Sequence, residues 1–165
     1  NRFRGSRGYG GATRGAPVDA DGNPVFHRIP ETYQAASSDG QRWRWALGRA
    51  VASHGNVKPE VLLVRGRFLH GQFGVQTMRP IITPRREAAG DGKPKDSGPW
   101  AVDTLADTET IARLASGIKR FELPDEFNHI RIFKQIAESQ QGPYRRSAAD
   151  QFAYILENRR QFPPL

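Results

Sequence analysis

The residues of this 165-residue chain with the most chemistry to offer are four histidines, His27, His54, His70 and His129, and their spacing does not assemble them. No two fall at the helical separation that puts a pair of ligands on one face. No Glu sits between two of them to act as the base of a zinc hydrolase. Each reads as a structural or solvated ring. Asp19, Asp21 and Asn23 imitate the opening of a calcium loop. That loop needs Gly at its sixth position and a bidentate Glu at its twelfth, where this chain has Pro24 and Pro30. Gly8, Gly10, Gly11 and Gly15 have the composition of a phosphate-cradling loop without the preceding strand, the following helix or the Lys-Ser/Thr that closes it. Asp125 and Glu126 are adjacent at a helix start, where the dipole accounts for them without an acid or base role. A Gly-x-Ser-x-Gly nucleophile context is absent. With no cysteine, disulfides, thiolate metal sites and a cysteine nucleophile are excluded. The expectation is a non-enzymatic chain with no catalytic, cofactor-binding or metal site.

Charge offers the other route to function. The formal net charge is +8, and residues 1–100 carry all of it, with 16 Lys or Arg against 8 Asp or Glu, while residues 101–165 hold 9 of each. Arg2, Arg4, Arg7 and Arg14, interleaved with Gly, Phe3 and Tyr9, match the Arg-Gly segments that hold RNA by phosphate contacts and stacking. They are the candidates for nucleic-acid or anionic-membrane-surface contact, and a solvated flexible arm is the simpler reading of the same residues. Trp43 and Trp45, flanked by Arg42 and Arg44, have the same two readings, stacking on bases or packing, with Trp43 on the core stripe. Arg159 and Arg160 sit at a helix end, where they favour the negative pole of the dipole. No apolar run approaches the roughly 20 residues that span a bilayer. A start at Asn1 and an end at Pro163-Pro164-Leu165 read as the edges of an excised fragment.

The positioning elements are helical by periodicity. Asp39 is the expected N-cap of a helix to about Ser53, with Trp43, Leu47, Ala50, Val51 and His54 on one side; Gly48 inside it suits a close helix neighbour. Residues 59–70 read as helix over hairpin, on Val61, Val64 and Phe68. Ile111, Leu114, Ala115 and Ile118 recur at i, i+3, i+4, i+7 and predict a helix. Leu123 to Glu126 predict the start of the next, carrying Phe127, Ile130, Phe133, Ile136 and Ala137. After a Gly142-Pro143 break, Ala149, Phe152, Ile155 and Leu156 predict a third. The fold class expected is all-α, stacked antiparallel helix pairs in a tetratricopeptide-like array. Its organisation would be a disordered basic arm at 1–23, a first helical half at 24–78 opening on an extended strap (Val25, Phe26, Ile29), and a Pro/Gly-rich linker at 79–101. A second helical half at 102–165 would follow. The expected buried seam is Ile111, Leu114, Ile118, Phe127, Ile130, Phe133, Phe152 and Ile155.

Taken together, WRWALGRAV (Trp43 to Val51), GQFGVQTM (Gly71 to Met78), the 107–138 stretch and LENRRQFP (Leu156 to Pro163) resemble the N-terminal helical region of bacterial, planctomycete-type alpha-2-macroglobulin-like proteins. The resemblance covers most of residues 24–162. It implies a non-catalytic scaffold, extracytoplasmic, whose partners are downstream domains of the same polypeptide and, through them, proteases. Endopeptidase inhibition by a bait segment and thioester would belong to those domains, because this chain has no cysteine.

Overall fold

Ser38 opens the first helix: its hydroxyl accepts a hydrogen bond from the Gln41 amide, and α1 runs Asp39–Ser53, its cap one residue earlier than the Asp39 the sequence predicts. The structure, a computed structural model, describes residues 15–75, 102–139, 142–159 and 161. A single 3-10 turn at Gly55–Val57 reverses the chain into α2, Lys58–Phe73, with Pro59 and Glu60 in its first turn as expected. Two further helices, α3 (His129–Ala137) and α4 (Arg145–Asn158), close the order.

Between α2 and α3 the all-α expectation fails. Glu109–Leu114 and Gly117–Glu122 are strands β1 and β2, an antiparallel hairpin in register from Glu109↔Glu122 to Leu114↔Gly117. The apolar spacing there is helical, but the run is short and two local signals favour the strand. The Ser116-Gly117 dipeptide marks a turn, with Gly117 at φ +129°, and Thr110, Ile111 and Ile118 are β-branched. The mixed fold, helices with a two-stranded sheet, replaces the tetratricopeptide-like array of 102–165, and with it the stiff stack of helix pairs.

The seam changes accordingly. Leu114, Phe127, Ile130, Phe133 and Ile155 are buried in one core with Leu63, Leu69 and Phe73 of α2, and Phe152 is half-buried against it. Ile111 belongs instead to a smaller cluster with Val102 and Leu105, and Ile118 is 45 % exposed on β2. Leu123 to Glu126 do not begin a helix. Asp125–Phe127 form one 3-10 turn, and α3 starts at His129 because the Asn128 side chain accepts from the Arg131 amide at 3.0 Å. Where α2 crosses α3, Gly66 lets the backbones approach: a Cβ there would lie 3.1 Å from Ile132 and Phe133.

Residues 15–23, expected to be disordered, are held to the hairpin. Ala16 is fully buried, donates to the Arg113 carbonyl at 3.0 Å and accepts from the Ala115 amide at 2.9 Å, a parallel bridge beside β1. Phe26 of the strap packs against Phe127 (5.0 Å between centroids), Phe73 (5.5 Å) and Phe121 (6.3 Å), so it closes the core where α2 ends. The expected linker at 79–101 lies outside the described residues.

Candidate functional site, the groove between α1 and α2

Two of the four histidines do meet. His70 on α2 and His129 at the start of α3 stack with centroids 5.3 Å apart, Phe133 and Tyr154 standing edge-on to His70. Long-range packing brings together what the spacing keeps apart. His129 is fully buried, and neither ring nitrogen has a hydrogen-bond partner among the described residues. Burial, aided by His70 and Arg159, pushes its pKa down to about 3, and burial lowers that of His70 too. The pair is two neutral rings in a helix interface, His129 fully buried and His70 half-buried. It has a consequence for stability. Above pH 6.5 folded and unfolded chains both hold the ring neutral; as pH falls the unfolded chain takes a proton that the folded ring refuses. Stability is therefore present above about 6.5 and lost as pH falls toward about 3. Urea unfolding should show a loss of about 2 kcal/mol between pH 7 and pH 5 from this ring alone. His129→Leu is expected to flatten that dependence, and an equally steep profile in the variant would refute the assignment.

Several other charged groups are tied into the framework. Arg159, predicted to serve the α4 dipole, instead turns its fully buried side chain away from α4, donating to the Ala106 carbonyl at 3.0 Å and to the Glu109 carbonyl. Burial lowers its pKa to about 10, so it remains a cation. Glu109 pairs with Arg120 at 2.7 Å, which holds its carboxyl below the usual range and raises the Arg120 pKa. Asp19 accepts from the amides of Asp21 and Asn23, at 3.0 and 2.8 Å, so the calcium-like residues close a turn on themselves. Among the described residues no group of three or more His, Cys, Asp or Glu is placed to hold a metal ion. A polar depression of about 560 Å³ lies beside α3, but its Asp125 and Arg131 pair at 2.6 Å and its Asn128 is spent on the helix cap.

A different feature stays open. α1 buries only Arg44; Trp43, Leu47, Ala50 and Val51, its predicted core stripe, are half-buried. Between α1 and α2 runs a groove of about 220 Å³ with Leu47 and Val51 on one wall and Val61 and Leu62 on the other. Gly48 faces it, and a Cβ there would meet nothing within 4 Å, so this glycine leaves space where the sequence suggests a close neighbour. Trp43 stacks on Phe68 at 4.7 Å, and the Arg44 guanidinium lies over the Phe68 and Phe127 rings at 5.7 and 5.9 Å. Trp45 packs edge-on to Tyr33 at 5.7 Å with Arg49 over its face. Both tryptophans are thus engaged within the protein. Sequence reasoning missed the groove because period shows which side of a helix is apolar, not whether a neighbour covers it.

Arg2, Arg4, Arg7, Arg14 and Arg160 lie outside the described residues. Those described carry fifteen Lys or Arg against fourteen Asp or Glu, so the basic excess belongs almost wholly to the rest of the chain. Among the described residues no helix is long and apolar enough to cross a membrane. Comparison with protein-family models, curated proteins and solved structures finds no match for this chain.

Proposed function

We infer that this chain is a non-catalytic protein-interaction module that presents its α1–α2 face to a partner, first of all another domain of the same polypeptide. One observation carries the reading. Six large apolar side chains are exposed among the described residues, and four of them, Ile29, Tyr33, Val64 and Phe68, lie on α2 or in the segment leading to α1. Val64 and Phe68 are one turn apart on α2, next to Trp43, and aromatic side chains framed by arginine are what protein interfaces favour. The histidine pair, the buried arginine and the Glu109–Arg120 pair all have framework roles, which supports binding over catalysis. The scaffold role in an extracytoplasmic alpha-2-macroglobulin-like protein rests on the sequence resemblance, and endopeptidase inhibition would fall to other domains of such a protein. A nucleic-acid role would have to use the basic segments outside this fold, since the fold itself is nearly neutral.

A photo-cross-linking amino acid at Phe68, in the protein as its own host makes it, is the test. It should cross-link to one segment of one polypeptide. Val64→Asp should suppress that product about fivefold or more, as truncation at a hot spot does. As an exposed substitution it should change stability by no more than about 0.5 kcal/mol. Products no stronger than those from a probe at Ile118, exposed on β2, would overturn the reading.

A further inference from the structure

We propose that the groove between α1 and α2 binds a small aliphatic carboxylate, a single unbranched chain whose acid group sits on Arg44 and Arg65. The lining is apolar along its length, with Ile29 joining the four aliphatic side chains of its walls, and its charged members are Arg44, Arg65 and Lys58 with no acid among them. Arg44 is 6 % exposed, yet no described residue accepts a hydrogen bond from its guanidinium. Its faces lie over the Phe68 and Phe127 rings and its nitrogens are not sealed from solvent, so its N–H donors are open to an anion or to water. Arg65, beside it, spends one Nη2 bond on the Glu126 carbonyl, at 2.5 Å. The exposed Glu126 carboxylate acts on both arginines through its charge, without a close salt bridge to either among the described residues. Two adjacent arginines are suited to a carboxylate, which accepts paired N–H bonds that a hydroxyl cannot match.

Size and access narrow the occupant. At about 220 Å³ the groove is smaller than the roughly 300–1,000 Å³ pockets that take drug-sized ligands. A slender chain fits where a ring system or a helix does not. Because Arg44 is so little exposed, the acid must enter the groove, which favours a free carboxylate at the end of its own chain over a side chain carried on a peptide backbone. Gly48, exposed on α1, adds no side chain to the groove it lines, and that glycine costs α1 about 1 kcal/mol relative to alanine without any close helix contact to explain it.

Titration of the intact protein with decanoate, decanol and decylamine, by calorimetry and by amide chemical shifts, decides the matter. Decanoate is expected to bind saturably, shifting amides of α1 and α2. Decanol should bind at least about tenfold more weakly, and decylamine not at all. Going from hexanoate to octanoate to decanoate should tighten binding about fourfold per methylene until the groove is full. Arg44→Gln should weaken decanoate about tenfold or more. Gly48→Leu fills the groove while improving helix propensity, so it should abolish binding with an unchanged or higher melting temperature. Equal binding of decanol, unchanged binding by Gly48→Leu, an acetylated Leu-Leu-Glu amide binding in preference to decanoate, or no saturable binding by any probe would each overturn the proposal. The docking of a protein at Phe68 stands apart from it: cross-linking from Phe68 that persists in Gly48→Leu leaves that reading intact whatever decanoate does.

Discussion

Phe133→Ala is expected to cost the protein about 3–5 kcal/mol in unfolding free energy, the range for truncating a fully buried aromatic ring. Phe133 is fully buried in the main core, edge-on to His70 and directly against Gly66. The cavity has little chance to collapse, because the wall it opens onto is a glycine backbone already inside a hydrogen-bonded helix. Domains of this size are stable by about 5–15 kcal/mol, so the loss is a large share of the whole. Urea unfolding at pH 7 measures it, and a loss under about 1 kcal/mol would show that α2 and α3 do not pack as described. His129→Ala is the informative companion. The sequence suggests a mild effect for a lone histidine, whereas burial of the ring predicts a cavity cost partly offset by removal of two unpartnered nitrogens. Its loss should fall below that of Phe133→Ala and well above that of a surface change.

Arg159→Met should cost about 3–4 kcal/mol, since it deletes two charge-assisted hydrogen bonds worth about 1.5–3 kcal/mol each while relieving the burial of a cation. The Ala106 and Glu109 carbonyls it holds open the hairpin, 53 and 50 positions away in sequence. Gln161 reinforces the same contact by donating to the Leu105 carbonyl at 2.6 Å. The end of α4 thereby clamps the start of β1, and the Glu109–Arg120 pair ties that start to β2. Methionine keeps most of the volume, so the measured loss reports the polar contacts rather than a cavity. Arg159→Lys should recover only part of it, because a compact ammonium does not reach both carbonyls in the fixed fork of a guanidinium. Wild-type stability in Arg159→Met would mean that these bonds contribute nothing net. Hydrogen exchange adds a local readout: the amides of β1 should lose protection before those of α2.

Four helices were legible from period and punctuation: residues 39–53 and 59–70 from their stripes and stops, the one carrying Ile130, Phe133 and Ile136, though its start was placed at Leu123 to Glu126 and lies at His129, and the one after Gly142-Pro143. Each is long enough, or strongly enough amphipathic, for local preference and tertiary burial to agree. The hairpin at 109–122 was misread because Ile111, Leu114 and Ile118 satisfy a helical spacing by coincidence. In the folded chain they face three different surroundings: a small cluster, the main core and solvent. A short apolar run does not tell strand from helix by period alone, and here the decision fell to a turn dipeptide and to Ala16 bridging alongside Leu114.

Residue types by themselves determined which chemistries are closed to this chain, thiol chemistry above all, and which faces of most helices must be apolar. Tertiary structure alone decided that His70 and His129 meet, that Arg159 serves the hairpin rather than its own helix, and that α1 leaves a groove beside α2 instead of a sealed seam. The reason is the range of the forces involved. Helical period, caps and turns act over a few residues and are written in the local sequence. Burial of an imidazole, the reach of a guanidinium across 50 positions and the failure of a neighbour to cover an apolar face depend on which distant segments pack together.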